Sequence, residues 1–299
     1  MNIVVFGSGA IGSLFGALIS KKHDVTLIGR SPHVNTIQKN KLRITGKTQI
    51  NLKISAEKST EEISKTPDLL LLTVKSYDTE IAIKQAKKII GKDTVILSLQ
   101  NGLDNIEKIK KHVDSKKIIA GTTTHGVLFS KPGYIEHTGI GDTIIGELNS
   151  KKTYRIKNII KAFNQAGIPC LLSSNILKEI WIKAIINSSI NPLTTLFLCR
   201  NGYLLKNPML KNIAEKVCEE STNAANTQGL NLSNKKMFDK TIKVIKKTSE
   251  NYSSMLQSFK NCKKTEIDSI NGKLVSIGKK QGVDMLLNEV LFHSIKNIR

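Results

Sequence analysis

The sequence is poor in aromatic residues, proline, cysteine and acid. Phe, Trp and Tyr together make up 5% of its 299 residues, with a single tryptophan, so no aromatic-interleaved patch for stacking nucleic-acid bases is present. Its six prolines form no proline-rich or other low-complexity segment, and no internal repeat is evident. The four cysteines, Cys170, Cys199, Cys218 and Cys262, are widely spaced. They make neither a C-x-x-C pair nor a histidine-flanked metal pattern, so reduced structural thiols and no metal site are expected. No apolar run reaches membrane-spanning length, and strand residues stand where a secretory leader would lie. A cytoplasmic protein with no membrane partner is the expectation. Acids are scarce: 24 Asp plus Glu face 46 Lys plus Arg, for a formal net charge of +22 and a sequence pI near 9.8. The lysines are spread along the whole chain with no basic arm, which reads as a solvated lysine-rich surface rather than a nucleic-acid site. Such a surface still concentrates anionic ligands nearby.

What is present points to a nucleotide fold. An apolar strand, N-I-V-V-F, runs directly into G7-S-G9-A-I-G12. Gly7 permits a tight turn, Gly9 lets the backbone approach a pyrophosphate, and Gly12 lets the following helix, expected over Ser13 to Lys21, pack on the strand. The loop residues Gly7, Ser8, Gly9, Ala10, Ile11 and Gly12 are the candidate cofactor cradle, with the pyrophosphate at the positive helix end. After the second apolar run, V-T-L-I at 25–28, an NAD-selective chain would usually place an acid for the ribose hydroxyls. Here Gly29, Arg30 and Ser31 follow instead. A guanidinium at that point suits the 2′-phosphate of NADP, although a solvated loop arginine would read the same way and NADH remains possible.

The second informative segment is I-L-K-E-I-W-I-K-A-I-I-N-S-S-I-N-P, apolar on most faces of a helix except for Lys183, Asn187 and Asn191. A step of four residues advances the direction by only about 40°, so these three form one polar stripe. A lysine and two asparagines aimed into a domain interior suit a polar ligand. The same stripe would also serve a lysine that reaches out to water and asparagines that bridge neighbouring helices.

Between and beyond these motifs, strands are expected at 68–74, 94–99 and 117–121, with β-like segments around 134–147 and helical stretches between. Alternating β and α elements imply a mostly parallel, helix-covered sheet. Past Pro169 the pattern is helical, at about 175–190, 207–228, 233–260 and 265–296. The expected organisation is a Rossmann-like dinucleotide-binding α/β domain over residues 1–170 and an all-α domain over 171–299, parted near G-I-P and S-S-N. Length and a 39% hydrophobic content suffice for two such cores. The glycine loop lies in one half and the polar stripe in the other, so neither half alone is expected to catalyse.

Taken together, the chain resembles the ketopantoate reductases, within the wider 6-phosphogluconate-dehydrogenase-like group. The resemblance spans essentially the full length. It is carried by G7-S-G9-A-I-G12, V74-K75, Q100-N101-G102, G121-T-T-T-H125, W181-I-K183 through N187 to N191-P192-L193-T194, N251-Y-S-S254-M-L-Q257, and T265-E266-I-D268-S-I-N271-G272. It implies reduction of 2-dehydropantoate by NADPH to (R)-pantoate, within pantothenate and coenzyme A biosynthesis. A related NAD(P)-dependent reductase of another 2-keto acid is the alternative. Lys183 is then the general acid and Glu266 its catalytic partner. Asn101, Lys183, Asn187, Asn191, Asn251 and Ser254 are substrate-binding candidates. Arg30, Lys75, Asn101 and Glu266 join the glycine loop as cofactor-binding candidates. T-E-I-D looks like a capping box that would place Glu266 in the first turn of a helix, where the positive end favours its ionised form. Asn101 in N-G is also a common turn residue. Ser76, Tyr77 and Asp78 depart from the family pattern, in which a glutamine often binds cofactor. His125 reads as a packed or orienting histidine. The implied partner is a small keto acid, with no nucleic acid, and the assembly is a monomer or homodimer.

Overall fold

The computed structural model describes residues 1–298, and they form two compact units, 1–100 with 105–179, and 101–104 with 180 onward. In the first, chain order is β1 (Asn2–Phe6), α1 (Ala10–Ile19), β2 (Asp24–Ile28), α2 (Ser31–Asn40), β3 (Leu42–Gly46), β4 (Ile50–Leu52), β5 (Ser55–Glu57), β6 (Leu69–Leu72) and α3 (Thr79–Ala86). There follow β7 (Val95–Ser98), α4 (Asn105–Lys110), β8 (Ile118–Thr123), β9 (Gly126–Lys131), β10 (Tyr134–Gly139), β11 (Thr143–Glu147), α5 (Tyr154–Gln165) and β12 (Cys170–Leu172).

Eight strands form one sheet in the order β12-β11-β8-β7-β6-β1-β2-β5. All neighbours are parallel except β11 with β8. The strands are apolar on both faces because helices cover both. Ile3, Val5, Leu69 and Leu71 face a core shared with Leu14 and Phe15 of α1 and Ile156 and Phe163 of α5. Val4, Phe6, Leu70 and Leu72 face the opposite core, with Ile83 of α3 and Ile109 of α4. Strand β1 is central, with β2 on one side and β6 on the other, so the connections run outward in opposite directions from it. That reversal opens the crevice at the carboxyl ends of β1 and β6.

A second sheet, β4-β3-β10-β9, was outside the expectation for residues 42–52. Its strands are short and half polar, as in L-R-I-T-G and I-N-L, and only Leu42, Ile44 and Ile135 bring deep apolar contact to the α1 core.

The second unit is helical: α6 (Ile176–Leu196) from Ile180 on, α7 (Tyr203–Lys206), α8 (Pro208–Asn226), α9 (Asn234–Lys247), α10 (Ser254–Lys260), α11 (Asn271–Lys280) and α12 (Leu286–Asn297). Ile185 and Leu193 of α6 pack with Leu210 and Val217 of α8, Phe238 and Ile245 of α9 and Leu291 of α12. Two expected long helices are each broken. The 233–260 stretch stops at Lys247, and Ser253 starts α10 by accepting from Leu256 N. The 265–296 stretch is interrupted at Gly282, whose φ is +72°, where Gly278 O accepts from both Gln281 N and Val283 N. Glu220 then fixes the start of α12 by accepting from Leu287 N and Asn288 N, each at 2.9 Å.

Candidate active site

The glycine loop is shaped by contacts that only glycine allows. Gly7 has φ +110°, and a Cβ there would stand 2.5 Å from Val74 N, so the loop lies directly on the residues that follow β6. A Cβ on Gly12 would stand 2.1 Å from Gly7 O. At Gly9 a Cβ would meet nothing within 4 Å, which leaves that backbone open on its outer side. Helix α1 begins at Ala10, earlier than the expected Ser13, so Gly12 belongs to its first turn. No side chain caps it and its first turn holds no acid. An uncapped helix start beside open glycine backbone fits the pyrophosphate of a dinucleotide, so the residues present suit that group. Gly7 N and Ser8 N both donate to Ile28 O at 2.9 Å, strapping the loop to the end of β2.

A buried relay holds this loop from behind. Gly133 N donates to His33 Nδ1 at 2.9 Å, so Nδ1 is unprotonated and Nε2 carries the hydrogen. That Nε2 lies 3.0 Å from Ser13 Oγ, and Ser13 Oγ donates to Ser8 O at 2.9 Å. Burial pushes His33 down to about 4. His33 carries no motif in the sequence; its only signal is a histidine beside Val34 and Ile37 on the buried face of α2. His125 is buried, edge-on to Phe15, with Nδ1 3.0 Å from His137 Nε2. Its value is also pushed down to about 4, first by burial and then by His137.

Arg30 and Lys75 sit at the strand ends expected of them. Arg30 follows β2 immediately before α2, and its Nη2 lies 3.0 Å from Asp78 Oδ2. Lys75 precedes the short 3-10 turn Ser76–Asp78 that follows β6, and Asp78 N donates to its carbonyl at 2.8 Å.

In the helical unit the stripe lies on α6 as expected, with Lys183 and Asn187 half-buried and Asn191 buried. The capping-box reading of T-E-I-D does not hold. Glu266 is the residue before a three-residue 3-10 turn, Ile267–Ser269, with no side-chain cap. Burial is what marks it: Glu266 is only 6% exposed, and its Oε2 accepts from Asn101 Nδ2 at 3.3 Å. Asn101 itself groups with the helical unit rather than with the sheet it follows. The cause is local. Gly102, at φ +99°, lies so close to Ser269 that a Cβ would stand 2.7 Å from that residue's Cβ, and Leu103 N donates to Ser269 O at 3.0 Å. The N-G turn is therefore a structural turn that also aims Asn101 at Glu266.

The N-P-L-T and S-S-M-L-Q motifs meet directly. Thr194 Oγ1 donates to Ser253 Oγ at 2.7 Å, and Ser253 caps α10. This places Ser254, exposed in the first turn of α10, and Asn251, half-buried in the preceding turn, at one end of the stripe-bearing helix. Thr194 and Ser253 lie within the N-P-L-T and S-S-M-L-Q motifs, but a pairing that spans 59 residues leaves no mark in sequence spacing.

Comparison with known proteins decides the family. The model described as ketopantoate reductase PanE/ApbA matches residues 3–150, and its C-terminal companion matches 175–299. The chain belongs to the ketopantoate reductase family. A 2-dehydropantoate 2-reductase from Pyrococcus abyssi is 40% identical over 297 residues, covering 99% of this chain and 97% of that protein. Among solved structures, 2-dehydropantoate 2-reductase from Geobacter metallireducens superposes with a TM-score of 0.92 at 26% identity, covering 99% of each chain. D-mandelate dehydrogenase with NADH and anilino(oxo)acetate gives a TM-score of 0.94 at 26% identity, covering 99% of this chain and 97% of that one. Among the described residues no helix is long and apolar enough to cross a membrane, and no cluster of three or more His, Cys, Asp or Glu is placed to hold a metal.

Proposed function

We propose that this chain is a 2-dehydropantoate 2-reductase that prefers NADPH, with residues 1–170 binding cofactor and 171–299 binding substrate and carrying the catalytic groups. The observation that supports it best is the buried Glu266 held by Asn101, in the same unit as the Lys183-Asn187-Asn191 stripe, within a chain of this family.

The reduced nicotinamide, when bound, supplies the hydride. The chain's residues do the rest. As the keto carbon is reduced, negative charge develops on its oxygen. Lys183 stabilises that charge and delivers the proton, so a single side chain lowers the barrier in two ways. Asn187 and Asn191, one and two turns further along α6, hold the substrate's oxygens. Glu266 accepts a hydrogen bond from the substrate hydroxyl, and Asn251 and Ser254 hold the carboxylate end. The loop Gly7–Gly12 with Lys75 binds the phosphates, Arg30 takes the 2′-phosphate, and Asn101 and Glu266 touch both ligands. We place the protein in the cytoplasm, a reading supported by its four free cysteines, and as a monomer or homodimer.

The likeness to D-mandelate dehydrogenase supports a second reading, a reductase of another 2-keto acid. NADPH oxidation measured with ketopantoate beside pyruvate, 2-ketoisovalerate and oxaloacetate separates them. The highest kcat/KM is expected with ketopantoate; a higher value with another acid overturns the substrate assignment.

A further inference from the structure

Nothing acidic follows β2, yet the fold delivers a carboxylate to that place from elsewhere. The Arg30–Asp78 pair joins the segment after β2 to the segment after β6, and β1 lies between those two strands in the sheet. The pair therefore spans the carboxyl end of β1, where the glycine loop begins. Arg30 lies just beyond Ile28, whose carbonyl straps Gly7 and Ser8. A Cβ on Gly29 would fall 1.8 Å from Ser8 Oγ, so the backbone leading into Arg30 runs against the loop itself. In dinucleotide folds the adenosine ribose lies at the end of the second strand, where an acid accepts from its hydroxyls and an arginine pairs with a 2′-phosphate. Here both kinds of group stand at that position, 3.0 Å apart. The Arg30 side chain is 80% exposed and that of Asp78 is 32% exposed, so the guanidinium is open to an incoming ligand while the carboxylate is the more enclosed partner.

We infer that Asp78 is a cofactor-specificity residue: it pairs with Arg30 when no 2′-phosphate is bound, accepts from the ribose 2′-hydroxyl of NADH, and opposes the 2′-phosphate of NADPH. The inference rests on the dinucleotide reading and deepens it. An exposed ion pair is held weakly, so a phosphate can take the guanidinium from the carboxylate. The carboxylate remains beside the incoming phosphate as a like charge, which tempers the NADPH preference that Arg30 creates. The chain then uses both cofactors, with NADPH favoured by a modest factor.

The test is binding rather than turnover. Dissociation constants of NADPH, NADH, 2′,5′-ADP and 5′-ADP are measured by fluorescence and calorimetric titration for the natural chain, Asp78→Asn and Arg30→Ala, with folding checked by circular dichroism. Asp78→Asn is expected to tighten NADPH and 2′,5′-ADP about three- to tenfold, the size of one partly screened charge interaction. It is expected to weaken NADH, and Arg30→Ala to abolish the NADPH preference. Equal changes for NADPH and NADH in Asp78→Asn, or weaker NADPH binding, overturn the inference and leave the dinucleotide reading standing. Failure of the natural chain to bind either dinucleotide overturns both.

Discussion

Asn271 Nδ2 lies 3.3 Å from Ser188 O, the carbonyl that Pro192 leaves without its usual helical donor. Proline has no N–H, so the bond from residue 192 back to residue 188 cannot form within α6. The gap falls between Asn187 and Asn191, on the turn of the stripe. Asn271, fully buried at the start of α11, fills it and also donates to Asn288 Oδ1 at 3.0 Å. One side chain thereby fixes the helix carrying Lys183 to the segment that follows Glu266.

Replacing Asn271 by Leu should leave Ser188 O buried and unmatched, at a cost of about 1–3 kcal/mol. Urea denaturation would read this as a lower midpoint with an unchanged slope. A midpoint within error of the natural chain would show that Ser188 is served by another donor.

Lys183→Ala should lower kcat by about two to four orders of magnitude, the range for loss of a general acid, while NADPH still binds. Single-turnover kinetics beside a cofactor titration would separate the two effects. Near-normal turnover in a folded variant would show that the stripe is structural.

Asn101→Asp replaces a donor to Glu266 with a second carboxylate about 3 Å away, and like charges at that range raise a carboxyl pKa. The acidic limb of the kcat/KM profile for the keto acid should move to higher pH, and kcat/KM should fall by at least about tenfold from the lost positioning. A profile with its limb unmoved would remove Asn101 as the partner that matters to Glu266.

These tests fall on features of unequal legibility. The glycine loop was readable because its constraints are steric and local: Gly7 against Val74, Gly12 against Gly7. The apolar run Leu69–Leu72 was readable because a strand covered on both faces has no polar residue to spare. The short strands β3 and β4 were not, since three to five half-polar residues carry too little periodicity to stand out. Helical periodicity also overran the breaks at Ser253 and Gly282, because a cap and a positive φ interrupt the chain without interrupting the apolar pattern. Asn101 falls within the expected 1–170 domain, yet the contacts of Gly102 and Leu103 with Ser269 group it with Glu266, and nothing in local sequence marks them. The Arg30–Asp78 and Thr194–Ser253 pairs join residues 48 and 59 apart, a separation at which sequence spacing carries no geometry.

The buried histidines give the stability of the sheet-bearing unit a defined pH dependence. His33 must stay neutral to accept from Gly133 N, and burial pushes it and His125 down to about 4 from 6.5. Both are neutral in the folded and unfolded chain above 6.5, so their contribution is complete there. Between 6.5 and 4 the unfolded chain takes up protons that the folded chain refuses, and stability falls as pH falls. Below 4 both states are protonated and the loss levels off. Each histidine should account for a loss on the order of 3 kcal/mol across that window. Urea midpoints measured from pH 7.5 to 4 should decline most steeply between 6 and 4.5, and His33→Gln, which cannot take up a proton, should flatten part of that decline. Because His33 reaches Ser8 through Ser13, the same substitution should raise the dissociation constant for NADPH at pH 7.5, where no titration occurs. Unchanged cofactor affinity in a folded His33→Gln chain would confine the relay to stability and sever it from the glycine loop.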